Sequence, residues 1–460
     1  MRTGTGRFLA PALGAAFLLV ALTGLSAGPA AAARARDAGK SAPKTYEAIS
    51  LLGEKLVSPA PDKASLDRYA EARRKLAQEP SEENFIGLGR QAANAGRFRE
   101  AIKAFSDGLA QYPQSYRLLR HRGHRYITIR QFVRAIDDLE RAAELAKGKP
   151  LEIEPDSLPS KSDRPLSNTH YNIYYHLGLA YFLAGEYPFA AHAFRDGLTW
   201  AKNDDSVIAA TGWLYLTLRR MKLDQEAREA LAAVRPRANV VENTGYYQNI
   251  LMYRGAIAPE LMASPWPEDA EGEKKPNMLI RAYGVGNWDL WGGDVFLALG
   301  VFETILKENA WSFFASIAAE LDVAGLTLTN PAHGTVEDAL KTWTVMWNLY
   351  DLALLYSLFS ADPALSYSPS EEKGPIRGLE PLVQYHRELG FTAGGKAQDD
   401  RFWLEDVRVQ PLGTSASVTA RWFLDKSVGQ EGPVRQGAAT FVLVQAPDGY
   451  RIVYARFAND

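Results

Sequence analysis

One stretch near the start of the chain decides the fold: residues 85–113 have the sequence FIGLGRQAANAGRFREAIKAFSDGLAQYP. Within it, Gly89 is followed after twelve residues by Ala101 and after sixteen by Phe105, and Pro113 ends the stretch. Gly96 divides the stretch into two segments with helical periodicity, which is the pattern of two helices joined by a turn. A residue as small as Gly89 in the first helix lets the second helix approach closely.

The same spacing recurs along the chain. Further copies begin at Gly123, Gly178, Gly212 and Gly286; the fourth is imperfect, because its small residue, Ala227, follows Gly212 after fifteen residues rather than twelve. A period of 34 residues with these small and aromatic positions resembles the tetratricopeptide repeat family. The resemblance implies an all-α superhelix of stacked helix pairs with a long concave face.

The copies define the domain organisation. The repeats occupy residues 66–257, and a polar, proline-rich insertion near 148–169 is expected to loop out of the array. A second proline-rich, acidic segment, residues 258–275, is predicted as a linker, and residues 276–330 as a further helical repeat. Whether the two repeat blocks form one superhelix stays open at this point.

Composition excludes several classes of protein and site. The chain has 460 residues, of which 47% are hydrophobic and 23% charged, with a formal net charge of -2, so it is an ordinary folded chain without the basic excess of a nucleic-acid binder. The absence of cysteine excludes disulfides, thiolate metal sites and a cysteine nucleophile. The sequence indicates no cofactor, no metal site and no catalytic residue.

The first residues predict export. Arg2 and Arg7 precede an apolar run, and Ala31–Ala33 offers a small-residue cleavage site, as in a signal peptide over residues 1–33. An uncleaved membrane anchor is the alternative. We therefore expect a periplasmic or extracellular protein with no membrane span after cleavage, in which residues 34–65 form a flexible linker.

A groove on the concave face is the first candidate site. The exposed stripe of the first helices is predicted to carry Arg90, Arg117, Arg120, His124, Tyr175 and Phe182. A cationic stripe with apolar neighbours suits an acidic protein or peptide partner. The alternative is a solvated arginine-rich helix face, and the stripe departs from the lysine and asparagine set of the family's carboxylate-binding members. His121 and His124 have helical spacing for a metal, but no carboxylate stands at a matching offset.

The pattern of apolar and polar residues changes after residue 330. Val336–Phe359 is predicted as one long helix and Gly378–Leu389 as a shorter one. Four strands with alternating polarity follow, at residues 404–411, 415–425, 437–445 and 450–457. Asp448 and Gly449 mark a hairpin turn between the last two strands.

This order of elements, ending in FVLVQAPDGYRIVYARF, resembles the nuclear-transport-factor-two-like superfamily, in particular its SnoaL-like members. The resemblance covers residues 331–460 and implies a small α+β, cone-shaped domain with a curved antiparallel sheet, an inner pocket and a tendency to form homodimers. The predicted fold class is thus multidomain, a tetratricopeptide-repeat superhelix followed by this domain.

Candidate residues for the inner pocket are Trp347, Tyr350, Asp351 and Tyr385. The pocket would hold a small apolar ligand. The predicted function is an exported scaffold or binding protein with a partner in the repeat groove. Two alternatives remain: an isomerase- or dehydratase-like enzyme with its active site in the cone, which would need a buried carboxylate as base, and a purely structural adaptor.

Overall fold

The computed structural model describes residues 46–154, 167–262, 275–329, 334–371, 374–426 and 434–460. The predicted signal peptide and residues 34–45 of the predicted linker lie outside these ranges, as do residues 263–274 of the second predicted linker. The described residues belong to one structural unit.

Most of the described chain between residues 63 and 329 is helical. Two short ladders accompany the helices: β1 (Ala48–Ile49) with β2 (Lys55–Leu56), and β3 (Ile153–Glu154) with β4 (Ser167–Asn168). The helices are α1 (Lys63–Gln78), α2 (Glu82–Asn94), α3 (Phe98–Gln111), α4 (Tyr116–Thr128), α5 (Phe132–Ala146), α6 (Thr169–Leu183), α7 (Tyr187–Trp200), α8 (Asp204–Arg220), α9 (Asp224–Ala230), α10 (Thr244–Tyr253), α11 (Pro259–Met262), α12 (Lys275–Gly292), α13 (Val295–Lys307) and α14 (Phe314–Thr329).

The glycines that begin the copies lie where two helices touch. A Cβ atom built on Gly89 would lie 2.2 Å from the ring of Phe105, and Gly178 likewise faces the aromatic residue sixteen positions later. This confirms the predicted close packing of helix pairs. Gly212 differs, because its nearest neighbour is Tyr246 of α10, at 3.0 Å. The fourth copy thus packs across three helices, which explains its irregular spacing.

The prediction of a flexible linker over residues 34–65 is wrong for residues 46–58, which we call the N-terminal clasp. Its two short strands form a ladder, and Leu51 is completely buried. The backbone N–H of Leu51 donates to Glu320 of α14 at 2.7 Å, and its carbonyl accepts from the Asn348 amide at 3.1 Å. Strands of two residues leave no periodicity in the sequence, so only these distant contacts reveal the clasp.

The C-terminal region contains a six-stranded sheet with helices packed against it. Its elements are α15 (Val336–Leu349), α16 (Leu354–Leu358), β5 (Ser366–Ser368), β6 (Ile376–Arg377), α17 (Leu379–Glu388), β7 (Arg401–Leu412), β8 (Ser415–Asp425), β9 (Arg435–Ala446) and β10 (Gly449–Asn459). The strand order is β6-β5-β10-β9-β8-β7. The four long strands confirm the predicted ones, whereas β5 and β6 were not predicted.

Two expectations about this region are corrected. The single helix predicted over residues 336–359 ends at Leu349, because Tyr350 adopts a left-handed conformation (φ 54°) before α16 begins. The sheet is mixed rather than purely antiparallel, because β5 pairs in parallel with β10. Irregular pairing between Ile452 and Tyr454 in β10 bends the strand locally.

Buried polar contacts join the helical array to the C-terminal region. The Asp399 carboxylate accepts from two backbone N–H groups in the first turn of α5, at 3.0 and 3.1 Å. Arg401 donates to the carbonyl of Arg130, and the Arg130 guanidinium contacts Glu320 at 2.7 Å. Since these groups are almost fully buried, the two regions are held together by specific polar bonds as well as by apolar packing.

Candidate functional site

The residues predicted to line an exposed groove do not form one surface. Tyr175 and Phe182 expose only 9% and 1% of their surface, so the prediction that they face an open groove is wrong. The cause is α14: the ring centroid of Phe314 lies 5.2 Å from that of His124 and 6.4 Å from that of Tyr175. The second helical block therefore covers the inner side of α6.

Three of the predicted residues converge on a cavity of about 200 Å³ between α2, α4 and α6, which we call the basic pocket. They are Arg90, Arg120 and His124. Arg120 is only 7% exposed, so it lines an enclosed cavity and not the open stripe that its spacing predicted. The other lining residues are Ala93, Asn94, Phe105, His121, Arg125, Glu154, Ser167 and Asn172.

Glu154 is the carboxylate of this pocket. It contacts the Arg120 guanidinium at 3.0 Å and accepts from the Asn172 amide at 2.9 Å, and the His121 ring lies 3.7 Å away. Because Glu154 belongs to β3, one wall of the pocket comes from the base of the 148–169 insertion. The sequence pattern did not identify Glu154, because a carboxylate in a two-residue strand gives no periodic signal. It also did not identify Arg125, which directly follows His124.

Electrostatics distinguish the guanidinium groups from the imidazoles. Burial lowers the pKa of Arg120, and it lowers the pKa of Arg125 to about 9. Burial and the neighbouring arginines hold the pKa values of His121 and His124 well below the ordinary range. The positive charge of the pocket therefore resides on arginine, whereas the histidines are neutral near neutral pH.

Arg117 stands apart from the other predicted arginines. Its side chain is 29% exposed and contacts Glu83 of α2 at 2.6 Å and Glu152 at 3.6 Å. It does not line the basic pocket. Arg117 is thus a partly exposed surface residue that is paired with two carboxylates.

A second cavity, of about 110 Å³, lies in the C-terminal region, and we call it the aromatic pocket. Of the four predicted residues, Trp347, Tyr350 and Tyr385 line it. Asp351 does not: its carboxylate accepts from the backbone N–H of Leu354 at 3.0 Å at the start of α16. The left-handed turn at Tyr350 separates the two neighbours, so Asp351 has a capping role.

Other aromatic side chains form most of the wall. The pocket is also lined by Trp343, Phe402 and Trp422, together with Tyr367, Pro369, Ser370, Glu371, Leu389, Leu424, Lys426, Arg435 and Phe457. Trp343 lies one helical turn before Trp347 on α15, and this spacing could have identified it. Glu371 is paired with Arg435.

Several polar atoms around the aromatic pocket are buried without a hydrogen-bond partner. They include the indole nitrogens of Trp343 and Trp347. The Tyr350 hydroxyl, in contrast, donates to Asp400 at 3.3 Å, and burial together with this carboxylate raises its pKa. The wall therefore offers two neutral N–H donors that the described protein groups leave unused.

His386 packs behind this wall. It is completely buried, its ring centroid lies 5.4 Å from that of Trp347, and its Nδ1 contacts the Leu382 carbonyl at 2.9 Å. Since Nδ1–H donates to that carbonyl, Nε2 is the unprotonated nitrogen, and it has no partner. Burial lowers the pKa of His386 to about 4. The ring is thus a neutral packing group at neutral pH.

Within the described ranges, no group of three or more histidine, aspartate or glutamate side chains is arranged to hold a metal ion. None of the helices built from those residues is long and apolar enough to cross a membrane.

Comparison with known proteins gives limited likeness. No protein-family model and no curated protein matches the sequence. Solved structures resemble parts of it. MamA is 20% identical, with 36% of this chain and 83% of MamA covered at a TM-score of 0.28. A nuclear transport factor 2 (NTF2-like) superfamily protein from Salmonella enterica is 18% identical, with 30% of this chain and 92% of that chain covered at a TM-score of 0.22.

A calcium/calmodulin-dependent protein kinase type II association domain from Thiobacillus denitrificans is 19% identical, with 28% of this chain and 98% of that chain covered at a TM-score of 0.25. At such scores these likenesses carry no weight for the function of the chain. The helix pairing and the sheet register described above show a helical-repeat region followed by a separate C-terminal sheet.

Proposed function

We propose that this chain is a binding protein in which a helical-repeat array carries a C-terminal domain for a small, mainly apolar ligand. The observation that carries the proposal is the pair of buried, unpartnered indole N–H groups in the wall of the aromatic pocket. Buried donors normally have partners, and a site with an apolar wall and a few unused polar groups is typical of ligand binding. The ligand class is an aromatic or aliphatic molecule with one hydrogen-bond acceptor.

The enzyme alternative is less well supported by the same contacts. An isomerase- or dehydratase-like reaction needs a carboxylate that can exchange a proton with the substrate. The lining carboxylate Glu371 is paired with Arg435, and Asp351 is bonded to a helix end. His386 lies behind the aromatic wall. These arrangements favour binding over acid–base chemistry.

A matched pair of probes tests the ligand proposal. Acetophenone and ethylbenzene have similar apolar bodies, but only acetophenone carries an acceptor. In calorimetric titrations we expect acetophenone to bind more tightly, and Trp347→Phe to reduce this preference about tenfold, because phenylalanine keeps the aromatic wall and removes one N–H. Trp403→Phe is the control, since Trp403 packs against Tyr46 of the N-terminal clasp. Equal binding of both probes to the wild type would refute the proposal.

The helical array is proposed to engage a protein partner through an acidic segment at its basic end, near Arg117. The support is the exposed part of the Arg117 side chain. Chemical cross-linking in an envelope extract tests this idea with Arg117→Glu, because the charge reversal would repel an acidic partner. The control is Arg195→Glu. Arg195 of α7 forms an exposed ion pair with Glu226 of α9. If both variants capture the same partner in equal amounts, that partner does not bind near Arg117.

Export and self-association are also proposals. Export rests on the signal-like residues 1–33, and N-terminal sequencing of the protein from its natural host would then begin at Arg34. A homodimer through the sheet would have to avoid the face near Trp403 and Phe423, because Tyr46 and Ile49 of the clasp pack there. Sedimentation analysis of the purified chain decides whether a dimer forms.

A further inference from the structure

In the basic pocket, the guanidinium groups of Arg120 and Arg125 share one described carboxylate. Arg90 comes from α2, and Arg120 and Arg125 come from α4. Glu154 is the one carboxylate among the described lining residues. Because Glu154 contacts Arg120, it leaves the Arg125 guanidinium without a described carboxylate partner.

The contacts of Arg125 confirm this imbalance. Its guanidinium contacts the ring of its neighbour His124 and lies 5.8 Å from the ring centroid of Phe98. His124 cannot act as a counterion, since an imidazole is either neutral or positive. The nearby charged group that acts on Arg125 most strongly is Arg120, another cation.

Arg120 itself is incompletely satisfied. It is 7% exposed, and its terminal nitrogens contact Glu154 and His121. Its Nε is buried and has no hydrogen-bond acceptor. A buried charge or donor without a partner costs considerable free energy, so natural proteins usually pair such groups or use them to bind a ligand.

From these contacts we infer that the basic pocket binds a tetrahedral oxyanion of the phosphate or sulfate class, either free or as a phosphate monoester. Guanidinium groups from two helices surround the cavity, and such groups bind these oxyanions through charge-assisted hydrogen bonds. Four oxygens around one centre can accept from donors on several walls, whereas a carboxylate offers two oxygens in one plane. A cavity of about 200 Å³ has room for such an ion.

This inference is independent of the aromatic pocket. The two cavities share no lining residue. It also differs from the proposed protein contact at Arg117, which lies outside the pocket. An experiment can therefore contradict the ligand proposal for the aromatic pocket, or the protein contact at Arg117, without contradicting the oxyanion site.

The test measures thermal unfolding and calorimetric binding of the purified full chain with inorganic phosphate, sulfate, phenyl phosphate and acetate at matched ionic strength. We expect the first three to raise Tm with concentration, since a ligand that binds only the folded state stabilises it, and acetate to have little effect. Tighter binding of phenyl phosphate than of phosphate would identify a monoester, and the reverse order a free ion.

Arg125→Gln provides the decisive variant. It removes the charge that lacks a described carboxylate partner, so we expect a higher Tm without ligand and at least about tenfold weaker phosphate binding. Arg125→Lys keeps the charge but loses the planar fork, and is the second variant if the first does not fold. Arg195→Gln on the exposed surface of α7 is the control and should bind phosphate like the wild type. Acetate acting as strongly as phosphate, or unchanged phosphate binding by the Arg125 variants, would overturn the inference.

Discussion

The basic pocket and the aromatic pocket both contain buried hydrogen-bond donors without described acceptors, but the donors differ in charge. In the basic pocket the donor is the Nε of the charged Arg120 guanidinium. In the aromatic pocket they are the neutral indoles of Trp343 and Trp347. Burying a neutral donor without a partner costs a modest amount of free energy. Burying a charge costs much more free energy unless a counterion accompanies it. Binding in the first pocket should therefore be sensitive to salt and binding in the second largely insensitive.

The two regions also differ in how they are assembled. The helical array is built from neighbouring helix pairs along the chain, while the C-terminal sheet pairs β5 with the distant β10, in which Tyr454 lies opposite Ser366. The buried junction at Arg130, Glu320, Asp399 and Arg401 makes the two regions depend on each other. The following predictions test how strongly buried contacts stabilise the two regions and how the packing inside the regions differs.

The largest effect is expected at the junction. Arg130→Ala should lower the free energy of unfolding by about 3–5 kcal/mol, because it leaves the Glu320 carboxylate buried without its cation. Urea denaturation followed by tryptophan fluorescence measures this change.

The control for this prediction is Arg195→Ala on α7, which breaks an exposed pair and should change stability by no more than about 0.5 kcal/mol. Unchanged stability of Arg130→Ala, or a loss no larger than that of Arg195→Ala, would show that the buried Arg130–Glu320 pair contributes no more to stability than an exposed pair.

A second prediction concerns pH. The folded pKa of His386 is about 4, below its ordinary value of 6.5, so the unfolded chain binds the additional proton first as pH falls. Stability from this group is present above pH 6.5 and is lost towards pH 4, by up to about 3 kcal/mol. In His386→Phe the loss of stability between these pH values should be smaller, as measured by urea denaturation at each pH.

His192→Phe replaces an exposed histidine on α7 and is the control for the histidine-to-phenylalanine substitution itself. His121 and His124 of the basic pocket also have lowered pKa values and should contribute in the same direction. A pH profile of His386→Phe that matches the wild type would show that His386 does not contribute to the loss of stability.

The smallest effects are expected from two glycines that set close approaches. A Cβ on Gly437 of β9 would lie 1.7 Å from the Ala458 carbonyl oxygen, whereas one on Gly89 of α2 would meet the Phe105 ring at 2.2 Å. A backbone carbonyl held in the sheet can yield less than a side chain, so Gly437→Ala should cost more than Gly89→Ala, within about 1–3 kcal/mol. Thermal unfolding ranks the two variants.

Gly87→Ala is a matched control in the same helix as Gly89, because no atom lies within 4 Å of its built Cβ. Alanine favours helix over glycine, so this variant should gain about 0.5–1 kcal/mol. If Gly89→Ala behaved like Gly87→Ala, the sixteen-residue spacing would have no packing role.

The repeat spacing was sufficient to predict the helix pairs, because the contact between Gly89 and Phe105 is local in sequence and is reproduced at Gly178. Alternation of polarity was likewise sufficient for the four long strands, since a half-buried strand exposes every second residue. Trp347, Tyr350 and Tyr385, which were predicted to share a pocket, line one cavity together.

The remaining features depend on contacts between residues far apart in the chain. Residues 46–58 are buried because Glu320 and Asn348 bond to Leu51, and no local pattern records those partners. The predicted groove closed because Phe314 of the second block packs against α6. Local periodicity thus determined which segments became helices and strands. Tertiary packing decided which arginines became buried, because the burial of a side chain depends on which other parts of the chain cover that face of its helix.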